Sequence, residues 1–230
     1  MKLNKMVKLF TKKKLEETFT NKELKNMSAC DWRHLESICN KYKHDYEALM
    51  KIVSLRGEAL QFLKDSLKDD KKIVLHAVSE TFYFNIHFED GRCLKYASTS
   101  LKKDRDVVNA AILSTPRALE FADKKFKMNK KLVLKLISST DYLVKEGGYV
   151  LEFADSKLKK DREVVLAAVR SNGRALQFAD DKFKKDKEVV TAAVKEDSSA
   201  LKYADKPFHN NLELLSGKKY LFELERRLKK

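Results

Sequence analysis

The sequence predicts an all-α protein, an α-solenoid of about seven two-helix units with a 25-residue basic period and capping helices at both ends. Three observations lead there: a recurring apolar pattern, an Asp or Asn at one fixed place in every recurrence, and a shortage of turn residues. Only six glycines and two prolines occur among 230 residues. An all-β chain needs turn residues every 8 to 12 positions or so. Disorder needs far fewer apolar residues than the 43% present. A compact chain of this length buries about 70% of the surface it exposes when unfolded, so a sizeable core is expected.

Counting register one from the residue before a recurrent leucine, units start at His34, Ala59, Cys93, Ala118, Val150, Ala175 and Ala200, with spacings of 25, 34, 25, 32, 25 and 25. Register two is Leu35, Leu60, Leu94, Leu119, Leu151, Leu176 and Leu201. Register four is aromatic from Phe62 to Tyr203 but Ser37 in the first unit, and register nine is always large and apolar; these are expected core positions. Register twelve is Asp45, Asp70, Asp104, Asn129, Asp161, Asp186 and Asn211, each before an apolar run. A short side chain there accepts a hydrogen bond from an unpaired amide of the first turn, the chemistry of a helix N-cap. An acid such as Glu163 or Glu188 follows two residues later, where the helix dipole favours it.

Each unit thus reads as a short helix A over registers one to seven, a lysine-bearing loop, and a helix B of about ten residues. Adjacent alanines such as Ala167-Ala168 at the centre of helix B let neighbours approach closely. One unit cannot bury its apolar face alone, so stability must come from stacking, and seven units would extend on the order of 60 Å. The organisation expected is a basic helical cap over 1–33, a repeat array over 34–215, and a capping helix over 216–230. Within the first of these, Thr20 and Glu23 form a capping box.

The pattern A-L-x-F-A-D-x-x-F-K-K-D-x-E-V-V-x-A-A-V resembles the tandem repeats of the domain of unknown function 4116 family. The resemblance runs from Ala59 to Leu215 and is clearest from Val150 to Val194. It implies a helical repeat, and it brings no catalytic motif or ligand residue to any position here.

Two places could meet a partner. The longer units carry inserts after helix B, over Ser79–Arg92 and Ser138–Tyr149. Insertions at one register emerge on one face, so Phe82, Tyr83, Phe84, His87, Phe88, Tyr142 and Tyr149 are candidate partner contacts, or else they fold back as packing. Alternation around Phe82, Phe84, Ile86 and Phe88 would also suit a short extended segment. The second candidate is a lysine ridge of Lys102, Lys103, Lys130, Lys131, Lys159 and Lys160, facing phosphates or an acidic protein. Net charge is +15, concentrated in residues 93–174 and at both ends, while residues 175–199 are net −1. Lysines outnumber arginines 39 to 10, which disfavours bidentate reading of bases.

Cys30, His34, Cys39 and His44 have some of the spacing of a zinc site, but the repeat register accounts for the last three, and no metal is assigned. Three cysteines without a C-x-x-C pair suggest a reducing interior, and no apolar run is long enough to span a membrane. The N-terminal stretch lacks the apolar core of an export signal, and its lysines suit a solenoid cap better than a membrane surface. No G-x-S-x-G, glycine-rich phosphate loop or H-E-x-x-H occurs. The expectation is a non-catalytic, cytoplasmic module without a cofactor that binds another macromolecule, an acidic protein or ribonucleoprotein. The alternative is sequence-independent binding of a nucleic-acid backbone, as an inhibitor or accessory factor.

Overall fold

The computed structural model describes residues 18–20, 23, 32–79, 90–138 and 147–208. Contacts divide the chain into two compact bodies, Met1–Ala122 and Asp123–Lys230. Among the described residues the regular structure is helical throughout. The insert residues Phe82, Tyr83, Phe84, His87, Phe88 and Tyr142 lie outside the described residues, as do the C-terminal cap over 216–230 and most of residues 1–33.

Within the N-terminal body, the expected capping box is present: Glu23 N–H donates to Thr20 Oγ1 at 3.2 Å and Thr20 N–H donates back to Glu23 Oε2 at 2.8 Å. Burial pushes the Glu23 carboxyl up, but Lys41 and the Thr20 donors overcome it and bring it down to about 2. The first repeat keeps a ten-residue α-helix, Trp32–Lys41. Long helices follow at Tyr46–Leu55, Lys71–Val78 and Arg105–Ser114. In the C-terminal body they are Lys130–Ile137, Arg162–Ser171 and Lys187–Glu196. Inside each body, consecutive long helices pack directly on one another.

Each of these begins at the register-twelve residue. Asp161 Oδ1 accepts from Glu163 N–H at 3.0 Å and Val164 N–H at 3.3 Å, and Asp186 Oδ1 accepts from Glu188 and Val189 at 3.0 and 3.1 Å. Asn129 does the same through Leu132 N–H. The buried face repeats at steps of one, four and five: Val164, Val165, Ala168 and Val169 in one helix, Val189, Val190, Ala193 and Val194 in the next. All seven register-two leucines are buried.

Helix A differs from expectation. From Gly57 onward it is mainly a 3-10 turn, as in Gly57–Phe62, Pro116–Phe121, Gly173–Phe178 and Ser198–Tyr203. Its buried positions are registers one, two and five, a spacing that a 3-10 turn and an α-turn both place on one side. Register five, as Ala122, Ala154, Ala179 and Ala204, is accordingly buried, whereas the register-four aromatics such as Phe178 are only half-buried. The expected loop is also helical: Lys124–Lys127, Ser156–Lys159 and Asp181–Lys184 are single α-turns. Asp123, Asp155 and Asp180 at register six cap them through the amides of Lys125, Lys157 and Lys182.

Glycine is required where the chain enters two of the repeats, at Gly57 and Gly173. A Cβ on Gly173 would stand 2.2 Å from the carbonyl oxygen of Ala193, and one on Gly57 would stand 2.1 Å from that of Ala77. The register-nineteen alanine brings its helix backbone this close.

Asp161→Ala or Asp186→Ala should each cost about 1 kcal/mol in urea unfolding through the lost cap, while Asn at either position should retain most of it, as Asn129 does. Gly173→Ala should cost about 1 to 3 kcal/mol, because backbone rather than a side chain must yield; a midpoint equal to the parent's would show that the entering turn shifts freely.

Candidate functional site

Two sets of bonds tie successive repeats together, and between them they decide which lysines remain on the surface. The first joins long helices. The opening residue of one helix reaches the N-cap carboxylate of the next: Tyr46 Oη donates to Asp70 Oδ2 at 3.0 Å, and Lys71 Nζ lies 2.9 Å from Asp104 and 2.6 Å from Asp106. In the C-terminal body Lys130 Nζ lies 2.7 Å from Asp161 and 2.8 Å from Glu163, and Arg162 holds Asp186 and Glu188 at 2.5 and 2.6 Å. The pairing raises the Lys130 ammonium, through Asp161 first and then Glu163. Lys71 and Arg162 hold Asp104 and Asp186 below the usual carboxylate range. Burial pushes Asp161 up, yet Lys130 and the capped amides outweigh it and bring this carboxyl down as well.

The second set joins the one-turn helices. The amide at register six donates to the register-ten carbonyl of the preceding repeat: Asp155 to Lys127 at 3.1 Å, Asp180 to Lys159 at 3.1 Å, Asp205 to Lys184 at 2.9 Å, and in the N-terminal body Ser98 to Lys68 at 2.9 Å. In the C-terminal body three one-turn helices therefore lie side by side, joined by backbone.

Lysines on these turns follow separate courses. At register ten, Lys159 Nζ folds back onto its own Glu152 carbonyl at 2.7 Å, and Lys102 does so onto Lys95 at 2.7 Å. Burial lowers both ammonium groups. At register eight, Lys125, Lys157 and Lys182 are exposed. The ammoniums of Lys125 and Lys182 stand 5.1 and 4.7 Å from the centroids of Phe126 and Phe183, whose rings are buried beneath them. At register eleven, Lys160 and Lys185 are exposed, with Lys160 Nζ 3.8 Å from Asp180. Over the three turns and their caps, nine lysines meet four aspartates, and three of those aspartates cap helices.

The ridge expected from sequence thus divides. Lys130 and Lys131 begin a long helix, whereas Lys159 and Lys160 close a one-turn helix, so they hold different registers. Lys102 and Lys103 belong to the N-terminal body. Of the six, Lys103, Lys131 and Lys160 are exposed, and Lys102, Lys130 and Lys159 are half-buried and engaged. Tyr149 packs edge-on against Phe178 with centroids 6.1 Å apart. Cys39 is buried, and burial, reinforced by Glu36, pushes its thiol up to about 12, as expected of a core residue. The register-eight lysines were missed by sequence reasoning; the signal was the alanine-aspartate pair before them, which marks a second N-cap at Asp123, Asp155 and Asp180. A groove of about 710 Å³ beside the Lys187–Glu196 helix mixes Arg170, Lys187 and Lys195 with Glu188 and Glu196, and so favours neither sign of charge.

This is the architecture of a tandem helical-repeat protein. The model of the family described as "Domain of unknown function (DUF4116)" matches four times in succession, over residues 45–88, 88–127, 129–181 and 161–209. The chain belongs to that family. No curated protein and no solved structure matches it.

A carboxylate held low in the folded state contributes stability above its unfolded pKa of about 4, and that contribution is lost as pH falls towards the folded value. Urea midpoints should therefore stay level from about pH 7 to 5 and fall steeply below about pH 4. Replacing Asp104, Asp161 and Asp186 together by Asn should flatten that fall; a variant as acid-sensitive as the parent would assign the loss to other carboxyls.

Proposed function

We propose that the chain is a non-catalytic, cytoplasmic α-solenoid of seven repeats with a 25-residue basic period, and that it docks an acidic macromolecular partner. The repeat-to-repeat bonds within each body support the stacking, since they recur at fixed registers. No helix of the described residues is long and apolar enough to cross a membrane.

The observation that carries the docking is the sorting of charge on the one-turn helices of the C-terminal body. Three of the four carboxylates there cap helices and the fourth, Asp181, pairs with Lys184, while Lys125, Lys157 and Lys182 project, two of them held over buried rings. On the long helices, cations such as Lys130 and Arg162 are neutralised by neighbours and offer a partner little. Lysine is a hydrated point charge without the planar fork that reads carboxylate or phosphate pairs, so the contact is long-ranged and adaptable. One insert precedes this array in sequence and the other lies within it, between Lys125 and Lys157, and the inserts are the second surface a partner would meet.

The test is titration of the full chain with polyglutamate at increasing salt. Affinity should fall steadily as salt rises. Changing Lys125, Lys157 and Lys182 together to Glu should reduce it about tenfold at low salt, in line with a few tenths to 1 kcal/mol for each exposed charge. The same change at Lys71, Lys130 and Arg162 should act mainly on stability. Equal affinity for polyglutamate in parent and triple variant would remove this surface from consideration, and much tighter binding of a single-stranded oligonucleotide would favour a nucleic-acid backbone instead.

A further inference from the structure

The lysines of the C-terminal one-turn helices have a spacing as well as a sign. We infer that they select an acidic α-helix whose carboxylates recur every seven residues, laid across successive repeats; this rests on the acidic-partner reading above.

Lys125, Lys157 and Lys182 hold the same register on three one-turn helices. Neighbouring turns are joined by single backbone hydrogen bonds of 3.1 Å, Asp155 to Lys127 and Asp180 to Lys159. The long helices of the same repeats also pack directly, Lys130–Ile137 on Arg162–Ser171 and Arg162–Ser171 on Lys187–Glu196. Packed helices stand about 8 to 10 Å apart, so the column advances by roughly that distance per repeat. Lys160 and Lys185, one helical turn further on, begin a second column beside the first.

A partner's charges must match that advance. Along an α-helix, residues seven apart lie on one face and are separated by about 10.5 Å. On an extended chain, side chains of one face recur at about 6.6 Å or, skipping one, about 13 Å, and fall out of step with the column. Duplex nucleic acid places a charge every 3.4 Å or so along each strand, so every third keeps step with the column, but the strand winds by about a third of a turn over that distance and leaves a straight line of lysines. Acids at positions one, eight and fifteen of a helix would face Lys125, Lys157 and Lys182 in turn. Acids three or four residues beyond these would reach Lys160 and Lys185. Asp181, beside Lys182, is turned to Lys184 at 2.9 Å, and the aspartates at register six cap backbone amides, with Asp155 and Asp180 standing 3.9 and 3.8 Å from Lys124 and Lys160, so among the described residues none is paired with Lys125, Lys157 or Lys182.

The experiment compares two helical peptides of equal length, composition and net charge with the full-length chain at low salt. One carries Glu every seven residues on one face; the other carries the same glutamates spiralled round the helix. The seven-spaced peptide should bind at least about tenfold more tightly, a difference of 1.4 kcal/mol. Lys125→Glu, Lys157→Glu and Lys182→Glu together should erase that preference. If charge reversal unfolds the chain by circular dichroism, the Lys→Gln triple variant should erase it instead. Equal binding of the two peptides overturns the spacing while leaving the acidic-partner reading intact. Failure of both peptides and of polyglutamate overturns both, and a preference that survives the folded triple variant moves the site away from these lysines.

Discussion

Much of the regularity of this fold depends on the register-twelve residue, an aspartate at the start of every described long helix after the first except Lys130–Ile137, where it is Asn129. One oxygen of the aspartate closes the first turn of a long helix, and the other accepts from the opening residue of the preceding long helix. A single side chain therefore satisfies a local backbone requirement and fixes the lateral position of its neighbour. In the first interface the donor is the Tyr46 hydroxyl, later the Lys71 and Lys130 ammoniums, and then the Arg162 guanidinium. What recurs is a donor long enough to reach the cap. An exposed ion pair alone contributes little, but here the carboxylate is already ordered by the amides it caps, so less freedom is lost when the cation arrives.

The backbone bonds between one-turn helices bear more directly on function. They require the residue before the donor to be extended, and Ala154, Ala179 and Ala204 all are. Small side chains at that bend let the chain close on the preceding repeat, and the register-ten carbonyl then serves the next repeat. At that register Lys159 turns inward to its own helix A and Lys184 to Asp181, leaving registers eight and eleven to project. Composition counts every cation equally, whereas the fold sorts them into those that close helix ends, those that cross-link repeats, and those that a partner can reach.

Much of this was legible in one dimension. The leucines, the N-caps, the Thr20–Glu23 box and the phase of the repeat all follow from interactions within about five residues, and such patterns survive into structure because local geometry enforces them. The membership of helix A in a 3-10 class was harder to read, since spacings of three and four both occur in its apolar residues. Ala175, Leu176 and Ala179 are buried while Phe178 is half-buried, a pattern that either kind of turn gives.

The all-helical class, the tandem repetition and the caps that start the long helices are local properties, legible in the chain without its fold. Tertiary structure alone decided which charges are free to act. Lys130 and Lys159 look alike in the chain, yet one meets Asp161 thirty-one residues away and the other its own Glu152 carbonyl. Likewise Arg162 finds Asp186 twenty-four residues on. A lysine's fate depends on which acceptor the neighbouring repeat delivers within about 3 Å, and that distance exists only once the repeats have stacked.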